Sequence, residues 1–259
     1  MISADISNLV CDMDGVLYRG NEVIPGAPEA VALLRQRGVR VLFCTNNSNA
    51  TVLQYVEKLT SLGIESRAEE ILSSAVVTEE VLQERGLGNR RALVVGGAGL
   101  HQAATNARLT VERDPERSDV DIVLVGWDRQ FDYATMRRAA TAVRNGATFI
   151  ASNDDATFPA SDGLWPGAGA ILASIETAAG RRAEVVGKPH PPMTAAIARR
   201  LDGAGRIAAV GDRPDTDLAI GSQMGWMTIL VLSGVTSRAE VALLDPQPDL
   251  VVESIADLG

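Results

Sequence analysis

Histidine and cysteine are the scarcest reactive residues of this 259-residue chain, at two each. His101 and His190 give little material for a histidine-based zinc site or a Ser-His-Asp arrangement, although His190 follows Lys188 closely enough to border a site there. Cys11 and Cys44 stand far apart and form no Cys-x-x-Cys motif, so they read as small buried residues at strand ends rather than as a disulfide or metal pair. Aromatic residues make up only 4% of the chain, and Trp127, Trp165 and Trp226 read as packing residues rather than as a stacking platform for bases. No apolar run approaches the roughly 20 residues that span a bilayer. The stretch "MISADISNLV" lacks the basic region and longer apolar core of a signal peptide, so a cytoplasmic protein is expected. Positive charge is also short, with 24 Lys and Arg against 33 Asp and Glu and a net charge of −9. That average field repels nucleic acid and anionic membranes, so neither is an expected partner and any phosphate must be held locally.

What is present is a chain 46% hydrophobic and 22% charged, enough for a sizeable core in one large or two modest domains. Short β-branched runs alternate with amphipathic stretches closed by glycine, the pattern of βα units around a mainly parallel sheet. "SNLVCD", "VRVLFCT", "RALVVGG", "VDIVLVG", "ATFIASN", "RIAAVGD" and "WMTILVL" read as strands. "EAVALLRQRG", the stretch from Thr51 to Leu62, Asp132 to Arg144, and a segment through Met193, Ile197 and Leu201 read as helices. No internal repeat, low-complexity tract or evident flexible linker interrupts them. The middle of the chain, from about residue 80, forms its own layer in this reading. "VVGGAGLHQ" sits between strand and helix as a dinucleotide fingerprint would, but it lacks the full Gly-x-Gly-x-x-Gly spacing and the acidic partner. "ERDPERSD" reads as a solvated loop.

In open parallel sheets, ligands bind outside the carboxyl ends of the strands, so polar residues directly after apolar runs are the ones to collect. They are Asp12 and Asp14, Thr45 to Asn47, Lys188, and Asp212 with Asp215 and Asp217. Several carboxylates at one sheet edge repel unless a cation sits among them, and an all-oxygen set suits Mg²⁺. Lys188 offers a second positive charge, while Thr45 and Asn46 can donate hydrogen bonds to a phosphoryl oxygen. The set is suited to phosphoryl transfer, with one aspartate as nucleophile and its neighbour moving the proton. Gly15 lets the backbone turn away and approach a ligand closely. Alone, Asp-x-Asp-Gly is also an ordinary turn sequence or a calcium-loop fragment.

Taken together, "DMDGVL", "TNNS", "GKP" and "GDRPDTD" resemble, in order, the four motifs of the haloacid dehalogenase superfamily of phosphohydrolases. The similarity runs from about Leu9 to "LVLSGVTSRAEV", and "LYRG", "IPGA" and "TNNS" bring it nearest to the NagD-like, 4-nitrophenylphosphatase-like subfamily. The resemblance implies a Rossmann-like parallel-sheet α/β core, residues 1–79 and 184–259, with an inserted α/β cap domain, residues 80–183, that closes over the site. It implies a Mg²⁺-dependent phosphomonoesterase working through an aspartyl-phosphate, on a glycerol phosphate, phosphoglycolate, a sugar phosphate or a nucleoside monophosphate. In that reading Asp12 is the nucleophile, Asp14 the general acid and base, and Thr45, Asn46 and Lys188 hold the phosphoryl group. Asp212 binds Mg²⁺ with the Asp12 carboxylate and the backbone carbonyl of Asp14. Asp217 supports that set from behind, with Asn47 and Asp215 as weaker candidates for the same task.

The resemblance also points to "SNDDATFP" and "GLWPGAGA" as the cap segments facing substrate, with Asn153 and Asp155 as contacts, although Asx residues after a strand more often form turns. It implies pairing of two chains through their caps. Arg19 stays open between a surface residue and a cap contact. Dehalogenation is disfavoured because dehalogenases lack the aspartate that Asp14 provides. A receiver-like phospho-accepting signalling module uses the same kinds of group, but in a much shorter single domain. A catalytically idle relative is the remaining alternative, against which the complete motif set argues.

Overall fold

The computed structural model describes residues 5–160, 163–201 and 205–259. The first four residues, part of the terminal stretch read for a signal peptide, lie outside the described residues. Six parallel strands form the first sheet: β1 (Ile6–Cys11), β4 (Arg40–Thr45), β5 (Ile71–Ser73), β13 (Arg206–Gly211), β14 (Met227–Val231) and β15 (Leu250–Val252). Their order is β15-β14-β13-β1-β4-β5. Central strands of such a sheet are buried on both faces, which is why "NLVC" and "VLFC" are apolar without alternation. The two-residue period still divides them: Leu9, Cys11, Val41 and Phe43 face one hydrophobic cluster, and Val10, Leu42 and Cys44 the other.

The first cluster is covered by α1 (Ala27–Gln36) and α2 (Val52–Ser61). Helix α2 begins in a capping box, with the Gln54 N–H donating to Thr51 Oγ1 at 3.2 Å and the Thr51 N–H donating to Gln54 Oε1 at 2.8 Å. Its buried stripe runs through Tyr55 and Leu59, and Leu53 is left 65% exposed. The hairpin of β2 (Tyr18–Arg19) and β3 (Glu22–Val23) comes directly after the first motif, and exposed Arg19 donates from Nε to the Ser233 carbonyl oxygen at 2.5 Å.

A second, five-stranded parallel sheet is inserted in the chain: β6 (Arg91–Val95), β7 (Thr110–Val111), β8 (Ile122–Val125), β9 (Thr148–Ala151) and β12 (Glu184–Val185), in the order β12-β9-β8-β6-β7. The antiparallel hairpin of β10 (Thr157–Ala160) and β11 (Gly163–Pro166) extends from β9. One face of this sheet packs on α5 (Tyr133–Arg144) and α6 (Ala168–Ala179). The other joins the second cluster of the first sheet, through α3 (Ser74–Glu84), α4 (Ala98–Asn106) and α7 (Pro191–Leu201). Residue 80 falls inside α3, and β12 pairs with β9, so the second sheet keeps the chain as far as Val185. Two further α-helices, α8 (Ala219–Met224) and the short α9 (Arg238–Val241), precede and follow β14 in the chain. Among the described residues, no helix is long and apolar enough to cross a membrane.

The glycines of "VVGGAGLHQ" have a packing explanation. At the start of α4 the Gly99 N–H donates to the Asn49 carbonyl oxygen at 3.0 Å, and a Cβ on Gly99 would stand 2.2 Å from the Ala50 carbonyl oxygen and 2.6 Å from that of Ser48. The helix end thus lies directly on the loop after β4. Gly99→Ala is expected to force this seam apart at a cost of about 1–3 kcal/mol, lowering the melting temperature by about 2–12 °C for a chain of this size. Thermal denaturation followed by circular dichroism measures it, and an unchanged transition would show that the seam yields freely.

Candidate active site

Strands β13, β1 and β4 are neighbours, so the segments leaving their carboxyl ends converge. Asp12 and Asp14 follow β1, Thr45 to Asn47 follow β4, and Asp212 follows β13. Lys188 arrives from the loop between β12 and α7. Gly15 makes the close approach feasible: its φ is +82°, and a Cβ there would stand 2.4 Å from Asp212 Oδ2.

Lys188 is 3% exposed. Its Nζ donates to Asp12 Oδ1 at 2.6 Å, to Asp217 Oδ1 at 2.6 Å and to the Cys44 carbonyl oxygen at 2.9 Å, which uses all three ammonium donors. Burial opposes its charge, but Asp12 and Asp217 hold the ammonium well above its ordinary range. Burial pushes Asp12 up against the pull of Lys188, and the Asp217 and Asp212 charges add to the rise. Asp212 is pushed up to about 7 by burial and by Asp217, although its Oδ2 accepts the Val235 N–H at 2.7 Å. Asp14 is half-buried and is raised by burial, with the Lys58 ammonium opposing the rise most. The Tyr18 hydroxyl donates to Asp14 Oδ2 at 3.5 Å, and Lys58 Nζ sits 3.5 Å from the centroid of the Tyr18 ring.

Asp12, Asp212 and Asp217, all buried, present carboxylate oxygens within 4.8 Å of one another. Asp217 is held at both oxygens, by Lys188 and by the Arg213 N–H at 3.2 Å. Asp12 and Asp212 each keep one oxygen with no hydrogen-bond donor among the described residues. Three carboxylates against one ammonium, with two oxygens unused, is a donor set that fits a divalent cation with oxygen preference.

Thr45 Oγ1 accepts the Asn47 N–H at 3.0 Å and lines the cleft, which leaves its own O–H to donate there. Asn46 lies differently from the sequence expectation. Its amide Nδ2 donates to Asp155 Oδ1 at 2.9 Å and to the Lys188 carbonyl oxygen at 3.0 Å, and its Oδ1 accepts the Lys188 N–H at 2.6 Å. Both amide hydrogens are therefore spent within the protein. Asn47 lines the cleft, while Asp215 is exposed and lies outside its lining. His190 is half-buried and pairs with Asp154 at 3.0 Å, beside the cleft but not lining it. Cys11 and Cys44 are free and buried, and burial pushes the Cys44 thiol up to about 12.

The second sheet supplies the opposite wall. Asn153 and Asp155 both line the cleft, with Thr157, Phe158, Pro159, Gly167 and Ala168 from the two expected segments. Asn153 Nδ2 donates to the Asn46 carbonyl oxygen at 2.7 Å, and the Arg213 guanidinium crosses to the Thr157 carbonyl oxygen at 2.9 Å. Burial raises Asp155 to about 6. Trp127, expected as packing alone, stacks on Phe158 with centroids 4.6 Å apart and also lines the cleft. Trp127 stands just past the apolar run of β8, so the strand-end rule reaches it once aromatics are admitted. Arg213 stands inside the motif "GDRPDTD".

Known proteins share this arrangement. A family profile described as haloacid dehalogenase-like hydrolase matches residues 9–110, and a related profile of the same superfamily matches residues 185–258. An acid sugar phosphatase of Staphylococcus aureus is 36% identical over 234 residues, covering 89% of this chain and 88% of that protein. Chronophin of Rattus norvegicus is 40% identical over 263 residues, covering 95% and 85%. The chain belongs to the haloacid dehalogenase-like hydrolases. A solved glycerol phosphate phosphatase of Mycobacterium tuberculosis, in complex with magnesium, superposes with a TM-score of 0.88 at 29% identity, covering 100% of this chain and 78% of that one. Within the superfamily this chain is a NagD-like phosphatase, with a Rossmann-like core and an inserted α/β cap.

The raised Asp212 makes a testable statement about stability. Its folded value of about 7 lies above 3.8 for the unfolded chain, so between these values the folded state binds more protons and its stability falls as pH rises. In metal-free protein the loss of melting temperature from pH 5 to pH 8 is expected to be smaller in Asp212→Asn. A divalent cation held by this acidic set needs the ionised ligands. At about a hundred times its Kd it contributes ~2.7 kcal/mol, or about 5–10 °C at this size, more at pH 8 than at pH 5. Calorimetric melts at both pH values test the statement, and an equal magnesium effect in wild type and Asp212→Asn overturns it.

Proposed function

We propose that this phosphatase is a Mg²⁺-dependent phosphomonoesterase that hydrolyses small phosphorylated metabolites through an aspartyl-phosphate on Asp12. The observation that carries the reading is the Asp12 carboxylate itself. It is buried and held by the Lys188 ammonium at 2.6 Å, has one oxygen without a donor among the described residues, and stands two residues from a second carboxylate. Asp12 attacks phosphorus and the ester oxygen leaves, taking a proton from Asp14. A water molecule then gives a proton to Asp14 and attacks the acyl phosphate, releasing inorganic phosphate and restoring both carboxyls. A carboxyl raised by burial, as Asp14 is, is suited to carry that proton near neutral pH. The Thr45 hydroxyl and the Lys188 ammonium neutralise charge on the phosphoryl oxygens.

Asp12, Asp212 and the Asp14 backbone carbonyl, with Asp217 behind them, would hold Mg²⁺, which when bound would supply Lewis-acid stabilisation of that charge. The acidic cluster and the magnesium in the mycobacterial relative support this assignment. The cap, residues 80–183 in this reading, excludes water while the core, residues 1–79 and 184–259, does the chemistry. Glycerol phosphate, phosphoglycolate, sugar phosphates and nucleoside monophosphates are the substrate class, which the names of the sugar phosphatase and glycerol phosphate phosphatase relatives support. The leaving group lies against the Trp127–Phe158 stack and the Asn153 and Asp155 side chains.

Release of inorganic phosphate from a panel of these esters, with and without magnesium, is the test. Hydrolysis is expected to need the metal and to fall by at least about a thousand-fold in Asp12→Asn. Mass spectrometry of acid-quenched wild-type enzyme is expected to find one phosphoryl group on Asp12. Hydrolysis undiminished in Asp12→Asn, or a phosphorylated protein that persists without turnover, rules the reading out.

A further inference from the structure

Asn46 stands where three segments meet, and its side chain is fully used there. Its amide oxygen accepts the Lys188 N–H at 2.6 Å and its amide nitrogen donates to the Lys188 carbonyl oxygen at 3.0 Å, so one side chain clamps both polar groups of the Lys188 backbone. The second amide hydrogen goes to Asp155 Oδ1 at 2.9 Å. Asp155 belongs to the cap loop between β9 and β10. That loop grips Asn46 a second time: Asn153 Nδ2 donates to the Asn46 carbonyl oxygen at 2.7 Å, and Asn153 Oδ1 accepts the Asp155 N–H at 3.2 Å.

A lysine stem is long and rotatable, so the place of its ammonium depends on the backbone that carries it. The Lys188 ammonium has to reach Asp12 and Asp217 together at 2.6 Å. The Lys188 peptide meets both edges of the Asn46 amide. Asp155 holds the nitrogen edge from the other side, and because a carboxylate oxygen only accepts, it reinforces the one orientation in which the oxygen edge meets the Lys188 N–H.

We propose that Asp155 and Asn46 are positioning residues that make the placement of Lys188 conditional on the cap being seated. The proposal rests on the phosphatase reading above for its kinetic consequence, but its structural consequence stands apart. With the cap loop in place, Asp155 orients the Asn46 amide, the amide clamps the Lys188 peptide, and the ammonium lies against Asp12. With the loop away, the amide is held by its two Lys188 bonds alone and the clamp loosens. Asp155 thus acts through Asn46 and not by holding the leaving group alone.

The experiment compares wild type, Asp155→Ala, Asp155→Asn, Asn46→Ala and the double alanine variant with 4-nitrophenyl phosphate and glycerol phosphate in magnesium. Misplacing a reacting group by a fraction of an ångström costs up to about a hundredfold, so Asp155→Ala is expected to lower kcat by roughly ten- to a hundredfold with KM within about threefold. Asparagine keeps an acceptor oxygen, and Asp155→Asn is expected to recover most of the lost turnover. The double variant is expected to be no slower than Asn46→Ala, because the two act as one unit. Multiplying effects, or a raised KM at unchanged kcat in Asp155→Ala, overturn the proposal. Hydrogen exchange of the Lys188 amide, followed by NMR, reads the clamp without catalysis: exchange at least about tenfold faster in Asp155→Ala and near wild type in Asp155→Asn is expected. Unchanged exchange in Asp155→Ala overturns the coupling even if Asn46→Ala does not fold. Failure of every ester to be hydrolysed would count against the phosphatase reading alone.

Discussion

One buried ammonium is the constraint around which this molecule is arranged. Lys188 gives its three donors to Asp12, Asp217 and a backbone carbonyl, at a place from which solvent is almost excluded. An isolated charge in such a place is strongly disfavoured, and a carboxylate there equally so. Together they persist because each satisfies the other, and the imbalance of three acids against one base leaves room for a cation. The two sheets, the seam between them and the loops that close it all serve to bring these four side chains from three separate segments to one point.

The seam also accounts for glycines that carry no chemistry. Where α4 begins against the loop after β4, backbone touches backbone, and side chains would hold the layers apart. The loop after β4 is thereby backed by the start of α4 on one side and by its own strand on the other. Small polar contacts complete the junction, such as the 2.8 Å hydrogen bond between the Ser48 and Ser152 hydroxyls.

Much of this is legible in the sequence because it depends on local rules. Asp12, Thr45 and Asp212 each stand at the end of an apolar run, and the structure puts all three at the carboxyl ends of adjacent strands. The start of α2 is visible at Thr51 because a cap is a local arrangement. The pairing of Glu184–Val185 with β9 is not visible, because two residues carry no period. Nor is the engagement of Asn46: its partners lie 109 and 142 positions away, and no spacing in the sequence encodes them. Trp127 reads as packing alone because its stacking partner Phe158 comes from a different element, and a residue that packs can also form a wall.

The second hydrophobic cluster gives the molecule a property of a different kind. Val10, Leu42 and Leu72 of the first sheet share it with Leu100, Ile122 and Ile150 of the inserted layer. Helices α3 and α7 line the same cluster, with Met193 Sδ 3.6 Å from Cys44 Sγ, so the inserted layer and these helices close one face of the first sheet together. An exchanged layer would have to keep Leu100, Ile122 and Ile150 or their equivalents to fill this cluster, whereas changes in the loops around the cleft leave it intact.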